Sequence, residues 1–436
     1  MERDAQAQFE RDVDQWTRDV LARRATEDFS SLVAALPGVY PSDVWASVER
    51  LVAAGDVSSD VIQRLLHFDP AVQEAGFVEP ACPLPVPHPL DFDWRFSIGT
   101  VDVLLDRCLK LTQLGDSVAF LGAPRLAIRA ALNSFARRFT CLDRNPAVVA
   151  TVLQHGHPGS GLQFDAAVDA IPSPSDAGAV CIDPPWYLPQ FRSFLWVASA
   201  LCRLGGHVLL SVPAAGTRPG MSAEWDQMQA WAGRCGLALT CYERSALAYV
   251  APPFEQNALR AGGFKGVCMH WRRSDLAVFV RNGQPSVARP SHPQHAPCWT
   301  ETSIAGVAFR VRPASRSSTE SDFRDPRLRA LVPGDVLPSV SARDRRRAAA
   351  DVWTTGNRIF GCAGRTLLDA ILKAQAAGDP VVRSVERALG RTVRDHERVP
   401  INDAVQQIQK IVTIERNEQA NGFHDLQTGV AVPGPG

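Results

Sequence analysis

The chain has 436 residues, 45% of them hydrophobic and 21% charged, an ordinary globular composition with length enough for two or three cores, which excludes a disordered or fibrous protein. Its 46 basic and 46 acidic side chains cancel, so the molecule as a whole has no long-range field to draw in a polyanion. No apolar run approaches the roughly 20 residues that span a bilayer, and the first ten residues are charged, so a cytoplasmic protein without membrane contact is expected.

The charge balance is local. Residues 1–70 hold 13 Asp/Glu against 7 Arg, while residues 310–365 hold 12 Arg against 6 Asp/Glu. The ten cysteines form no CxxC pair and no cluster with histidine at metal spacing, so neither disulfides nor a metal site are expected.

From Asp4 to Leu36 the apolar residues Phe9, Val13, Trp16, Val20 and Leu21 recur at helical spacing. Pro41 and Ser42 then open a helix over Asp43–Ala54, Gly55-Asp56 turns the chain, and a second helix runs to Leu66. Residues 1–78 therefore form a helical N-terminal domain of helix-turn-helix or winged-helix type, a candidate surface for a protein partner or a second copy of the chain. Residues 79–93, with five prolines from Pro80 to Pro89, suit neither helix nor central strand and make a linker.

A helix over Ser97–Leu111 precedes a series of apolar strands alternating with helices. The strands are Val118–Gly122, Phe139–Asp143, Gly161–Asp165, Gly178–Asp183, His207–Val212 and Ala238–Glu243. Between them lie helices over Pro124–Arg137, Pro146–His155, Leu188–Leu204 and Ala223–Cys235. Such alternation predicts an α/β domain over 94–282 with a Rossmann-like, doubly wound sheet buried on both faces. Gly263–Trp271 and Asp275–Arg281 are expected as a hairpin closing one edge, with Arg272, Arg273 and Asp275 in its solvated turn. A second linker, 283–300, leads to a mainly helical C-terminal extension, 301–436, with a strand at Gly306–Arg312, helices over 363–392 and 400–417, and a frayed tail after Gln419. Its Arg343, Arg345, Arg346 and Arg347, followed by Trp353, Asn357, Arg358 and Phe360, interleave basic and aromatic residues, a pattern suited to nucleic-acid contact within 310–365.

In an open parallel sheet, ligands bind beyond the carboxyl ends of the strands where strand order reverses. The first strand runs into Gly122-Ala123-Pro124, whose glycine lets backbone approach a ligand. The second ends in Asp143-Arg144, where the carboxylate is placed to accept both hydroxyls of a ribose, and the third in Asp165-Ala166. The fourth ends in Asp183-Pro184-Pro185-Trp186-Tyr187. Two prolines fix that backbone and remove two amide donors, leaving carbonyls to accept from an amine. Asp183 accepts a further proton and Trp186 offers a face to a planar base or a cation.

With these residues the segment 90–282 resembles the class I S-adenosylmethionine-dependent methyltransferases that modify amines. The resemblance implies that Gly122, Ala123 and Pro124 contact the methionine part of the cofactor. It places Asp143 with Arg144 at ribose, Asp165 with Ala166 at adenine, and Asp183 to Tyr187 at the amine. It also makes the Asp91–Ser97 segment, with Asp93 and Thr100, a pre-motif closing over the methionine end. The expected Gly-x-Gly-x-Gly is reduced here to Gly122-Ala123-Pro124. The overall arrangement is also similar to the branched-chain polyamine synthases, aminopropyltransferases that use decarboxylated S-adenosylmethionine. That family holds polyamines by an acidic cluster after the first strand, where this chain has Arg125, which would repel a polycation. Three functions are compatible with these residues: an N-methyltransferase acting on the exocyclic amine of a base or on a small-molecule amine, an aminopropyltransferase, and a binding module that has lost catalysis.

Overall fold

The computed structural model describes residues 2–23, 28–66, 79, 82–173, 176–264, 267–290, 299–313, 323–341 and 344–424. Residues 67–78 and 80–81 of the expected N-terminal domain and first linker, 291–298 of the second linker, 314–322, 342–343 and the tail after His424 lie outside them.

Four helices open the chain: α1 (Glu2–Ala22), α2 (Phe29–Ala35), α3 (Pro41–Ala53) and α4 (Asp60–Leu66). Asp28 caps α2 by accepting from the Ser31 amide at 2.7 Å, and Pro41 opens α3 with its preset φ. Their apolar faces, among them Val13, Leu32, Val33, Val44 and Val48, close over Trp271, Ala251 and Leu259 of the central domain. The described residues of this region are helices and turns with no paired strand, so no wing is present among them.

The central sheet contains β1 (Arg95–Phe96), β2 (Ser117–Leu121), β3 (Arg138–Asp143), β4 (Gly161–Gln163), β5 (Ala177–Ile182), β6 (Cys202–Pro213), β7 (Leu237–Val250) and β8 (Arg273–Arg281). Helices α5 (Ile98–Leu111), α6 (Pro124–Leu132), α7 (Pro146–His155), α8 (Leu188–Leu201) and α9 (Met221–Arg234) cover it. Along β2, Val118 and Phe120 enter one core while Ala119 and Leu121 enter the other, because successive side chains leave a strand on opposite faces. Both faces are thus covered by helices.

The strand order is β1-β7-β8-β6-β5-β2-β3-β4, with the β6-β5-β2-β3-β4 stretch parallel and β8 antiparallel between β6 and β7. Order reverses between β2 and β5: the chain winds outward through β3 and β4, then returns to place β5 on the other side of β2. The expected ligand crevice lies there, beyond Leu121 and Ile182.

The antiparallel part differs from expectation. None of the described residues of Gly263–Trp271 is in a strand; β8 pairs with the long β7, and α10 (Pro253–Ala261) lies in the connection between them. The apolar run Ala246–Val250 extends β7, where it holds β1 at the sheet edge. Asp275 is not in a solvated turn either. It is buried in β8 and accepts from the Tyr242 hydroxyl at 2.5 Å and the Ser245 amide at 2.7 Å.

The C-terminal part carries helices α11 (Arg365–Ala377), α12 (Val381–Leu389) and α13 (Asp395–His424). They pack on a five-stranded antiparallel sheet of β9 (Thr300–Ile304), β10 (Val307–Val311), β11 (Arg329–Ala330), β12 (Val352–Thr354) and β13 (Ile359–Gly361). Trp353, Asn357, Arg358 and Phe360 belong to the interior, and Arg358 pairs with Glu415 and Glu418 of α13, so the basic and aromatic interleaving here builds core. Arg345 and Arg346 stay exposed. No helix among the described residues is long and apolar enough to cross a membrane.

Candidate active site

A cavity of about 930 Å³ opens at the reversal point. Gly122, Asp143, Arg144, Asp165, Ala166 and the whole Asp183–Tyr187 turn line it, so residues spread over 66 positions of chain meet in one wall. Asp91, Phe92, Asp93 and Trp94 of the proline-rich joint add a second wall, Tyr40, Ser42 and Asp43 of the N-terminal helices a third, and Pro338–Ser341 of the C-terminal part a fourth. Thr100, Ala123 and Pro124 are not on the lining. Thr100 sits buried at the start of α5, accepting from the Ala248 amide at 2.8 Å, while Ala123 and Pro124 start α6 and are buried.

Gly122 holds the tightest point of the cradle. Its φ of +66° favours glycine, and a Cβ there would meet the Asp183 carbonyl oxygen and the Phe194 ring, each at 3.0 Å. Its amide donates to Leu142 O at 2.9 Å, which ties the turn after β2 to the end of β3. Arg125, which follows in α6, does not face the ligand. It is buried against Phe96 O (2.7 Å) and Glu79 (2.6 Å), so its charge is neutralised away from the cavity and repels nothing there.

Asp143 closes an Asx turn by accepting from the Asn145 amide at 2.8 Å, and Asn145 caps α7. Burial pushes the Asp143 carboxyl up to about 7, helped by the charges of Asp93 and Asp91. Asp165 accepts from the Ala167 amide at 2.8 Å. Arg289 pins this loop from outside, donating to Ala166 O at 2.7 Å and Asp165 O at 3.2 Å.

Asp183 rests on a chain of hydroxyls. Tyr249, from β7, donates to Asp183 Oδ1 at 2.6 Å; Ser211 of β6 lies 2.5 Å from the Tyr249 hydroxyl and 3.0 Å from Ser274 Oγ of β8. Burial raises the Asp183 carboxyl to about 8, although Tyr249, Ser211 and the charge of Arg272 pull the other way. The Pro185 carbonyl already accepts from the Tyr187 amide at 2.7 Å, so the Pro184 carbonyl is the acceptor this turn leaves to a ligand. Trp186 meets Tyr249 edge-on with centroids 5.5 Å apart, and Tyr187 meets Phe92 the same way at 5.5 Å.

Two features escape the sequence. Arg272, expected in a solvated turn, lies in the cavity wall with its guanidinium 4.2 Å from the Trp94 ring and 4.2 Å from the Trp186 ring. Asp91 is held in a bidentate fork by Arg310 of the C-terminal sheet, at 2.8 and 2.5 Å, with Arg144 at 3.4 Å. Burial alone would raise Asp91, but Arg310 reverses this and holds its carboxyl below the usual carboxylate range.

No protein-family model and no curated protein matches the sequence. Solved structures do. A branched-chain polyamine synthase mutein from Thermus thermophilus, crystallised with N4-aminopropylspermidine and 5′-methylthioadenosine, superposes with a TM-score of 0.51 at 15% identity, over 66% of this chain and 94% of the other. The fold is of that Rossmann-like kind. The branched-chain polyamine synthase from the same organism gives 0.49 at 16% identity, covering 67% and 97% of the two chains. An N-methyltransferase from Bradyrhizobium japonicum bound to S-adenosyl-L-homocysteine gives 0.28 at 14% identity, covering 42% and 85%.

Proposed function

We propose that the chain is an S-adenosylmethionine-dependent transferase that alkylates an amine nitrogen, with methyl transfer as the first reading. The observation that carries it is the convergence of Gly122, Asp143, Asp165 and the Asp183–Trp186 turn on one cavity at the switch point of the sheet. The residues present suit the cofactor. Backbone alone can line the cradle at Gly122, and Asp143 and Asp165, at the end of β3 and just beyond β4, stand where a ribose and a base would be received. When bound, the cofactor supplies an electrophilic carbon on a sulfonium and leaves with the bonding electron pair as a thioether.

The chain's own residues position the nucleophile. Asp183 and the Pro184 carbonyl accept two amine hydrogens, which aims the nitrogen lone pair along the line of displacement. The nitrogen forms the new bond and sheds one proton. Asp183, its carboxyl raised by burial, is a stronger base than an exposed carboxylate and takes that proton, with Tyr249 steadying the carboxylate oxygen that remains.

Aminopropyl transfer to a polyamine from decarboxylated S-adenosylmethionine is the second reading. It is favoured by the polyamine synthase fold and by a cavity wall containing Asp43, Asp91, Asp93, Asp143, Asp165 and Asp183. Calorimetry with S-adenosylmethionine and its decarboxylated form separates the two. Incubation of the labelled cofactor with pools of oligonucleotides, polyamines and small amines then identifies the acceptor. Failure to bind either cofactor turns the chain into a binding module.

A further inference from the structure

Arg272 is placed as no other cation of the cavity is. It stacks between the faces of Trp94 and Trp186, and Trp271 lies 5.9 Å away. Arg218 has Glu224 and Arg144 has Asp91, whereas the main counter-charge of Arg272 is the fully buried Glu255 of α10, which lies beyond ion-pair distance; among the described residues no acceptor takes a hydrogen bond from the Arg272 guanidinium. Stacking uses the two faces of a guanidinium and leaves its rim of N–H donors in the plane between the rings. A rim held open in this way matches the fork of a carboxylate.

The same placement excludes a competitor. The face of Trp186 that a substrate ammonium would stack on already carries a positive charge. A polyamine extending along this wall would meet a like charge where it needs an acceptor. Trp186 belongs to the turn that holds the amine, and the charge of Arg272 is felt at Asp183, so the anion received here lies close to the reacting nitrogen. The residues read as the nucleoside end lie elsewhere, Asp143 at the end of β3 and Asp165 in the loop beyond β4.

Building on the amine-transferase reading above, we propose that the acceptor carries its own carboxylate, an amino-acid-type zwitterion whose amine faces Asp183 and whose carboxylate is received by Arg272 between Trp94 and Trp186. The transfer is unchanged: the amine nitrogen bonds to the sulfonium carbon, the carbon–sulfur electrons leave with the thioether, and the proton passes to Asp183. The carboxylate takes no part in bond making; it fixes which amines are accepted.

The test uses the full chain and the variants Arg272→Gln and Arg272→Lys, with thermal melting to verify folding. Three kinds of measurement are made: affinity for S-adenosyl-L-homocysteine and for 5′-methylthioadenosine, label transfer to glycine, β-alanine and 4-aminobutyrate against ethylamine, propylamine and spermidine, and tryptophan emission titrated with β-alanine in the absence of cofactor. The expected result is label in a carboxylate-bearing amine and a fall of about tenfold or more in kcat/KM for it in Arg272→Gln. Affinity for S-adenosyl-L-homocysteine should stay within about twofold, with partial recovery in Arg272→Lys. Label in spermidine, or loss of S-adenosyl-L-homocysteine affinity with Arg272→Gln while 5′-methylthioadenosine binds as before, overturns the proposal, the latter by moving Arg272 to the cofactor tail. The transferase reading fails separately, by absence of cofactor binding in the wild type. In that case a β-alanine response of tryptophan emission that Arg272→Gln abolishes still supports the anion site, and an unresponsive wild type sinks it.

Discussion

Asp183 and Asp91 line the same cavity and are treated in opposite ways. Asp183 is held by neutral hydroxyls and rises to about 8. Asp91 is gripped by Arg310 and falls below its ordinary value. A carboxylate matched by a guanidinium has its charge answered inside the protein and is fixed as structure. One resting on Tyr249 and Ser211, with Arg272 acting only from beyond ion-pair distance, has no guanidinium fork of its own, and on the amine-transferase reading a ligand's ammonium is its complement. The difference marks Asp91 as a structural acid and Asp183 as the candidate for chemistry.

That separation is broken most severely if Asp183 proves dispensable. Asp183→Asn keeps the size and one acceptor but removes the charge, so turnover should fall by on the order of 10²-fold while S-adenosyl-L-homocysteine affinity, read by calorimetry, stays nearly constant. Arg310→Ala should act on the opposite quantity. It strands Asp91 without its fork and lowers stability by about 2 kcal/mol in denaturant titration; an unaltered midpoint would remove the structural role. Asp143→Ala is expected to weaken S-adenosyl-L-homocysteine by about tenfold through loss of charge-assisted bonds to ribose. Undiminished affinity there takes the nucleoside site out of this wall.

The smallest effects are in pH. Transfer that needs Asp183 ionised should show kcat/KM rising with pH through about 8, and Tyr249→Phe, which withdraws a hydrogen bond to the carboxylate, should move that rise to higher pH. In the folded state the Asp183 pKa is raised above the unfolded value. Its native form therefore binds the extra proton between about 4 and 8, and the folded state loses stability as pH increases across that window. Asp183→Asn carries no such penalty, so its melting temperature relative to wild type should climb from pH 4 to pH 8. A constant difference would show that Asp183 titrates normally.

Much of the central domain is legible in the sequence because parallel strands buried on both faces are short, unbroken apolar runs, as in Val118–Leu121 and Ala177–Ile182, and because each ends in a residue whose chemistry stands out. The antiparallel side is harder to read. In β7 the polar stretch Thr240–Ser245 interrupts the pattern, so the Ala246–Val250 continuation, with the Tyr249 that donates to Asp183, looks detached from it. Arg272 looks like a turn residue because Arg272-Arg273-Ser274 is polar in sequence; only the packing of Trp94 and Trp186, far apart in the chain, turns it inward. The C-terminal sheet is built from strands of two to five residues, too short for periodicity to register.

The Asp91–Arg310 fork has a consequence for anyone wishing to shorten or graft this protein. A chain cut after Arg281 would retain Gly122, Asp143, Asp165 and Asp183, and by sequence it would look like a self-sufficient catalytic unit. It would lack Arg310 and the Pro338–Ser341 wall, and Asp91 would be left with only the 3.4 Å contact to Arg144. The sheet beginning at Thr300 is therefore part of the pocket's masonry, and the smallest fragment worth engineering includes it.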